Sequence, residues 1–148
     1  MKVTYDKTPI DSKIRKSLVD YVYPVIGCMH YVQENLGPGL PEYIYQEALC
    51  KRLRHEGFEV EKESQHHPFF EGKPLESFVK MDLMVRMPRG HVIIECKSIT
   101  KIGEREQFQT FGYLRATEFP IAILVNFGSW PIAQIERYYF HDGVIKAF

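Results

Sequence analysis

The sequence carries no excess of either charge. Its 148 residues include 19 lysines and arginines and 19 aspartates and glutamates, so the formal net charge is zero. Proteins that bind nucleic acid by broad neutralisation of phosphates usually have a basic excess. Its absence argues against tight, non-specific DNA binding by the monomer, although segregated charge could still form a local basic face.

Cysteine is also scarce, and no long apolar run is present. The three cysteines, Cys28, Cys50 and Cys96, form no CxxC pair, which disfavours a zinc knuckle. Their odd number and wide spacing are typical of reduced thiols in a cytosol. No segment approaches the length of a transmembrane helix, and the polar stretch from Met1 to Ile10 lacks the apolar region of a signal peptide. We therefore expect a cytoplasmic protein without a membrane partner.

The sequence does contain enough apolar material for one domain. Hydrophobic residues make up 45% of the chain and aromatic residues 14%, which is sufficient for a core without disulfides or a structural metal. A chain of this length fits one domain and leaves little room for two. Because no internal repeat, low-complexity tract or linker is visible, we predict a single domain over residues 1–148.

Helical periodicity marks three segments. The first is expected from about Asp11 to Leu36, with Pro24 inside it to kink it or split it in two. The second should start near Pro41, as a first helical position, and stop at Gly57. The third is expected from about Gly103 to Thr117.

Five segments are predicted to be strands, and turn residues separate several of them. The strands are Phe58 towards Phe70, Leu75–Val85, His91–Ser98, Ile121–Phe127 and about Ile135–Phe140. The turns are expected at Glu71–Pro74, Met87–Gly90 and His141–Gly143. The resulting order, α-α-β-β-β-α-β-β, predicts an α/β fold with a mixed central sheet flanked by helices.

The central chemical feature is Asp82, followed after twelve residues by Glu95-Cys96-Lys97. Residues two apart in a strand point to the same face, so Glu95 and Lys97 project together and Cys96 points away. Asp82 on the preceding strand could reach the same spot. Two carboxylates at one point repel unless a cation joins them, and oxygen ligands suit Mg²⁺ or Mn²⁺. A nearby lysine can orient or deprotonate a water and stabilise developing phosphate charge.

This pattern alone also fits three solvent-facing strand residues that form surface ion pairs. Three further features favour a site, although each has a structural explanation as well. Glu42 and Tyr45 lie one turn apart at a helix start, where Glu42 could simply complement the helix dipole. Gln109 and Tyr113 lie four apart on one helix flank, as a satisfied amide and a core tyrosine would. Asn126 ends a buried strand, as a terminating turn would.

Together these residues resemble the GxxExxY proteins, whose motif is occupied here by Gly39, Glu42 and Tyr45. Those proteins are similar to members of the PD-(D/E)XK nuclease superfamily. The resemblance covers about residues 14–139, and it includes the Leu36-Gly37-Pro38-Gly39 lead-in and the Val125-Asn126-Phe127 strand end. Two positions depart from the pattern. Gln33 replaces the usual His three residues before Leu36, and Met81 precedes Asp82 in place of the proline.

The resemblance implies a restriction-endonuclease-like core and a Mg²⁺ or Mn²⁺ site. Asp82 and Glu95 would be metal ligands, with the backbone carbonyl of Cys96 as a third. Glu42 would be the extra acidic residue that some superfamily members bring from the first helix region, and is a further candidate ligand.

The resemblance also implies the remaining catalytic residues. Lys97 would be the catalytic lysine. Gln109 and Tyr113 match the QxxxY element of RecB-type nucleases, which supports the active site from the following helix. The leading hypothesis is therefore a metal-dependent nuclease that acts on DNA, with RNA ranked second. By analogy with small nucleases of this superfamily, a homodimer would bring two sites to one duplex.

Two other functions compete with this hypothesis. The fold could serve as a non-catalytic interaction module, or as a subunit of a larger nucleic-acid-processing or defence complex, which the zero net charge favours. An acyl or redox enzyme that uses Cys96 is disfavoured, since strand alternation directs its thiol away from Lys97.

Overall fold

Three helices form in the computed structural model, which describes residues 4–148; Met1 to Val3, part of the predicted single domain, lie outside the described residues. Helix α1 spans Ser12–Leu36, α2 spans Glu42–His55 and α3 spans Glu104–Thr117. All three were predicted, with Pro41 now at the N-cap of α2 rather than at its first helical position. Within residues 4–148, no helix combines the length and hydropathy needed to cross a membrane.

Helix α1 is continuous, so of the two outcomes expected at Pro24, a kink or a split, the split is wrong. The Asp11 side chain caps the helix by accepting the backbone N–H groups of Lys13 and Ile14, at 3.0 and 3.1 Å. Pro24 lies on an exposed part of the helix. The carbonyl of Asp20, which loses its usual N–H partner four residues on, is therefore open to water, and the helix continues through the proline.

The strands form one seven-stranded mixed sheet and one small hairpin. The strands are β1 (Thr4–Tyr5), β2 (Glu59–His66), β3 (Phe69–Phe70), β4 (Lys73–Pro74), β5 (Val79–Arg86), β6 (Val92–Lys97), β7 (Ile121–Asn126), β8 (Gln134–His141) and β9 (Val144–Ala147). The sheet order is β1-β9-β8-β7-β6-β5-β2, and β3 pairs only with β4. The central pair, β6 and β7, is parallel, and β8, β5 and β2 run antiparallel to their neighbours. This architecture confirms the predicted mixed α/β fold.

Two predicted strands are shorter than expected, because a separate hairpin interrupts them. Strand β2 ends at His66 instead of continuing towards Phe70, and β5 begins at Val79 instead of Leu75. Between them, Glu71 and Gly72 have φ values of 52° and 78°. A two-residue hairpin turn with both φ values positive is of the type I′ kind, which suits the twist of a β-hairpin. The turn predicted at Glu71–Pro74 is thus correct at Glu71 and Gly72, whereas Lys73–Pro74 form strand β4 of a hairpin outside the main sheet.

Apolar residues cover both faces of the central sheet. On one face, α1 and α2 pack over Leu83, Val85 and Ile94, and on the other α3 packs over Met81 and Ile93. Met81 and Leu83 are two apart yet belong to opposite faces. The regular alternation of side chains along β5 is therefore interrupted at Asp82, between these two residues.

The pairing of β5 with β6 ends at the same point. The last paired residues are Leu83 and Ile94, so Asp82 and Glu95 lie just beyond the paired part of the ladder. The end of this pairing frees the backbone of Asp82 and Glu95 from the ladder, and it positions the candidate site.

Candidate active site

Two carboxylates meet where the β5–β6 ladder opens. The Asp82 carboxylate accepts the backbone N–H of Cys96 at 2.8 Å, and the Glu95 carboxylate accepts the backbone N–H of Asp82 at 3.2 Å. Each side chain thus bonds to the backbone of the opposite strand, in a region where no ladder pair forms. The expected convergence of the two side chains is observed.

The environment of this pair disfavours two negative charges. Burial, together with the nearby negative charge of Asp82, raises the pKa of Glu95 to about 8. Burial also raises the pKa of Asp82, although the N–H of Cys96 and the charge of Lys97 act in the opposite direction. Without a cation, the pair therefore retains a proton near neutral pH, mainly on Glu95.

Lys97 lies on the same face of β6 as Glu95. Its Nζ is 2.8 Å from Gln109 Oε1 and 3.8 Å from Glu95 Oε2. Cys96, between them, is fully buried in the cluster beneath α1 and α2, and burial raises the pKa of its thiol well above the usual value. The alternation expected from the sequence is thus observed, and the thiol is neither ionised nor accessible.

Helix α3 contributes Gln109 and Tyr113 from one flank. Gln109 is exposed and accepts a hydrogen bond from Lys97 through its side-chain oxygen. Tyr113 is buried and its hydroxyl donates to Glu95 Oε2 at 3.2 Å. Burial and the charge of Glu95 raise the pKa of Tyr113, so its hydroxyl keeps the proton that it donates. The two residues therefore orient Lys97 and Glu95 respectively.

Glu42, the first residue of α2, also faces this region. Burial raises the pKa of its carboxyl, the charge of Lys97 and the N–H of Ser98 lower it, and the charge of Asp82 raises it. These interactions place Glu42 beside the pair rather than in bulk solvent. Within residues 4–148, however, no three acidic, His or Cys side chains form a group that could together hold a metal ion. The arrangement therefore offers a carboxylate pair with a third carboxylate nearby.

The segment that leads to Glu42 is held by the tyrosine of the same motif. The Tyr45 hydroxyl donates to the carbonyl of Gly37 and accepts the backbone N–H of Leu40 at 3.2 Å. Its ring is fully buried and stacks on Phe127, with centroids 4.8 Å apart. Tyr45 thus closes the turn before α2 and attaches it to the end of β7.

Replacing Tyr45 with Phe should therefore disturb Glu42 more than the core. The ring and its stacking on Phe127 are retained, while the carbonyl of Gly37 and the N–H of Leu40 lose their hydroxyl partner. We expect a loss of about 1–2 kcal/mol in the free energy of unfolding, measured by urea denaturation. Tyr43→Phe, at an exposed tyrosine two residues away, is the control and should leave stability unchanged.

Two supporting residues were missed by the sequence analysis. Gln46 Nε2 donates to the carbonyl of Asp82 at 3.2 Å, and Ser98 Oγ donates to the carbonyl of Leu40 at 2.8 Å. Gln46 lies four residues after Glu42, which puts both on the same flank of α2. That spacing was a usable signal for Gln46. For Ser98 the only signal was its position directly after Lys97.

Asn126 does more than terminate β7. It is fully buried, and its Oδ1 accepts the backbone N–H groups of Ile99 and Gly128, both at 3.0 Å. A Cβ at Gly128 would come within 2.2 Å of the carbonyl oxygen of Ile99, so only glycine permits this approach of two backbones. Asn126 and Gly128 thus fix the loop that follows Lys97.

Gln33, where the GxxExxY pattern has His, is fully enclosed and anchors α1 to the loop after β7. Its Nε2 donates to the carbonyl of Ser129. Its Oε1 is buried without a hydrogen-bond partner. The side chain thus links the end of α1 to the segment that follows Asn126.

The geometry agrees with what a comparison of sequences finds. A family model described as the PD-(D/E)XK nuclease superfamily matches residues 19–138. The chain belongs to this superfamily. In the superfamily's terms the fold is the restriction-endonuclease-like core, and its membership indicates a nuclease-type function. The match is to the superfamily as a whole and does not resolve the narrower GxxExxY family.

Comparisons with solved structures and with curated proteins add no further assignment. Among solved structures, that of SSO0001 is similar to this PD-(D/E)XK chain with a TM-score of 0.47 and 17% sequence identity. The similarity covers 85% of this chain and 58% of that one. No curated protein matches the sequence significantly.

The carboxylate pair fits the divalent metal that such nucleases typically use. Mg²⁺ is commonly bound by one or two carboxylates and keeps several waters, so a pair suffices where a triad is not assembled. The raised pKa of Glu95 supports the same conclusion, because a cation between the two groups would relieve the repulsion that contributes to it.

Proposed function

We propose that this protein is a metal-dependent nuclease that hydrolyses phosphodiester bonds in DNA, with RNA as the second-ranked substrate. The observation that carries the proposal is the pair of buried carboxylates, Asp82 and Glu95, with the Lys97 ammonium 3.8 Å from one of them. Buried like charges are costly, and sites that keep them are often functional. Membership of the PD-(D/E)XK superfamily supports the nuclease assignment.

The proposed metal ligands are Asp82 and Glu95, with the backbone carbonyl of Cys96 as a third. Glu42 is a further candidate, since its half-buried carboxyl already interacts with Asp82 and Lys97. Bound Mg²⁺ or Mn²⁺ would stabilise the charge on the attacking and leaving oxygens of the phosphate. Glu95 must first lose the proton that it holds near neutral pH without a cation.

Lys97 is proposed as the catalytic lysine. Its ammonium group is held by Gln109 at 2.8 Å and lies 3.8 Å from Glu95 Oε2. From there it can orient the attacking water and stabilise negative charge that develops on the phosphate. Tyr113 acts on the other side by fixing Glu95 through a hydrogen bond of 3.2 Å. The QxxxY pair thus positions a cation and a carboxylate at once.

A second candidate function is a non-catalytic interaction module, or a subunit of a larger nucleic-acid-processing or defence complex. Its supporting observation is the formal net charge of zero, which gives the chain no general attraction for nucleic acid. The two functions differ in one respect. Only the nuclease requires Asp82 and Glu95 to remain carboxylates.

Cleavage assays with and without metal separate these functions. We expect cleavage in Mg²⁺ or Mn²⁺ of at least one substrate among single-stranded, duplex and branched DNA and RNA, and none in EDTA. Asp82→Asn should reduce the rate, and a higher metal concentration should partly restore it, because the variant weakens metal binding rather than removing the lysine.

Asp142→Asn is the matched control. Asp142 is an exposed residue with φ of 49° in the turn between β8 and β9, and Asn tolerates that conformation equally well. This variant should cleave at the parental rate. Absence of cleavage by the parent on every substrate would contradict the nuclease proposal and favour the interaction module.

A further inference from the structure

The β3–β4 hairpin presents large aromatic side chains to solvent. Phe69 and Phe70 are 70% and 63% exposed. The hairpin is nevertheless ordered at its base, where the backbone N–H of Leu75 donates to the carbonyl of Pro68 at 2.8 Å. His67 Nδ1 lies 2.9 Å from the carbonyl oxygen of Leu75. Exposed aromatic rings on an anchored segment indicate a contact surface rather than unsatisfied core residues.

A groove of about 970 Å³ separates this hairpin from helix α3. Phe69 and Pro68 line it from the hairpin, and Gln109 and Tyr113 line it from α3. The same two α3 residues contact Lys97 and Glu95. The groove therefore adjoins the carboxylate site through the side chains of Gln109 and Tyr113, so that an occupant of the groove would lie next to the proposed reacting position.

The charges in the groove are few and mixed. Lys80 and Arg115 line it, with Glu118 as the acidic residue among the lining side chains, and Lys80 Nζ lies 4.0 Å from Glu63. On the hairpin itself the charged residues are Glu71, Lys73 and Glu76. A small positive excess in the lining suits a phosphate backbone but cannot supply tight binding by charge alone, since affinity from phosphates depends on the number neutralised.

We propose that this groove binds single-stranded nucleic acid by stacking an unpaired base on Phe69, and that it leads the strand to the carboxylate site; the inference rests on the nuclease function proposed above. Aromatic side chains that stack on bases are a general means of binding single strands without sequence preference. The bases of a duplex already stack on each other and are available to Phe69 only after unpairing. The substrate class is therefore single strands, or the frayed ends of duplexes.

Phe70 provides an internal control for Phe69. Neighbouring residues of a strand point to opposite faces, and only Phe69 lines the groove. The two rings have similar exposure and belong to the same two-residue strand, paired with Pro74 and Lys73 respectively. Truncating either ring removes a similar apolar area from the hairpin. A difference in nucleic-acid affinity between the two variants would therefore show that binding takes place in the groove.

The experiment compares Phe69→Ala and Phe70→Ala with the parent. Fluorescence anisotropy would measure binding of a labelled mixed-sequence 15-nucleotide DNA strand and of its blunt duplex, in Ca²⁺ without Mg²⁺ or Mn²⁺. We expect the parent to bind the single strand more tightly than the duplex. Phe69→Ala should weaken single-strand binding about tenfold or more, whereas Phe70→Ala should match the parent. Phe69→Tyr should retain binding, and thermal melting should show that all variants are folded.

Equal single-strand affinity of Phe69→Ala and the parent, or tighter parental binding to the duplex, would overturn the inference. Cleavage in Mn²⁺, run in parallel, keeps the two proposals distinct. If the parent cleaves DNA and Phe69→Ala changes neither the affinity nor the cleavage rate, the nuclease proposal stands and the groove proposal is refuted. If the parent binds single strands through Phe69 but cleaves no substrate, the groove proposal stands and the nuclease proposal is refuted. A parent that binds neither nucleic acid refutes the groove, and the hairpin is then a surface for a protein.

Discussion

Lys97→Ala is expected to lower the rate of phosphodiester cleavage by about 10²–10³-fold, the usual effect of removing one preorganised electrostatic group. The side chain is only 15% exposed, and Gln109 fixes its Nζ at 2.8 Å. Alanine leaves the Asp82–Glu95 pair in place. Stabilisation by added metal should therefore persist in the variant, measured as the shift in melting temperature with Mn²⁺.

Lys13→Ala is the matched control for this variant. Lys13 is exposed in the first turn of α1, on the opposite side of the sheet from α3, so that its removal changes net charge without changing the site. It should cleave at the parental rate. Parental cleavage by Lys97→Ala would refute the assignment of Lys97, and loss of metal stabilisation in that variant would show that Lys97 supports metal binding rather than catalysis.

Much of this site could be predicted from the sequence because strand alternation is a strong constraint. Glu95 and Lys97 must share a face of β6, and the buried run from Ile121 to Asn126 must lie in the centre of the sheet. Alternation alone left Asp82 on the preceding strand within reach of the same spot, but it did not decide which face of that strand carries Asp82. Side-chain alternation along β5 is interrupted between Met81 and Leu83, which belong to different core clusters, and the residue pattern around Asp82 does not indicate this interruption.

The features that were not predicted are either very short strands or contacts between residues far apart in the sequence. Strands β1 and β9 contain two and four residues, too few for a periodic pattern, and β1 is defined only by parallel pairing with β9. The link from Gln46 to the carbonyl of Asp82 joins residues 36 positions apart. The spacing from Glu42 indicates which flank of α2 carries Gln46, but spacing within one helix does not indicate which group on β5 that side chain meets. Phe69 and Phe70 were predicted to continue the strand that starts at Phe58, because the pattern of residues does not show that a separate hairpin begins after His66.

Glu95→Gln is expected to stabilise the metal-free protein at pH 8 while removing its response to metal. The pKa of Glu95 is raised from about 4.5 to about 8 in the fold. Above pH 4.5 the unfolded chain releases this proton, whereas the folded protein keeps it until about pH 8. The folded state therefore binds more protons over this window, so the free energy of unfolding falls as pH rises from about 4.5 to about 8 and then levels off.

Glutamine removes this loss because it carries no proton to release. Its amide can accept the N–H of Asp82 and donate to the Asp82 carboxylate, although it satisfies the Tyr113 hydroxyl less well than a carboxylate does. We expect a net gain of about 1–2 kcal/mol at pH 8 and little or none at pH 5. For a chain of this size that corresponds to a rise of roughly 3–8 °C in melting temperature.

Whereas Glu95→Gln should gain stability in the absence of metal, it should lose the stabilisation that added metal gives the parent. In the parent, Mn²⁺ at 100 times its dissociation constant would raise the free energy of unfolding by about 2.7 kcal/mol, and the variant should lose most of this because one carboxylate is gone. Glu34→Gln, at an exposed acidic residue of α1, should match the parent in both respects. Melting curves at pH 5 and pH 8, each with EDTA and with Mn²⁺, give the four melting temperatures that are compared between the parent and each variant. A variant less stable than the parent at pH 8 in EDTA would mean that Glu95 contributes to the fold as an ionised hydrogen-bond acceptor, and that the pair is not the strained, cation-dependent arrangement on which the nuclease proposal depends.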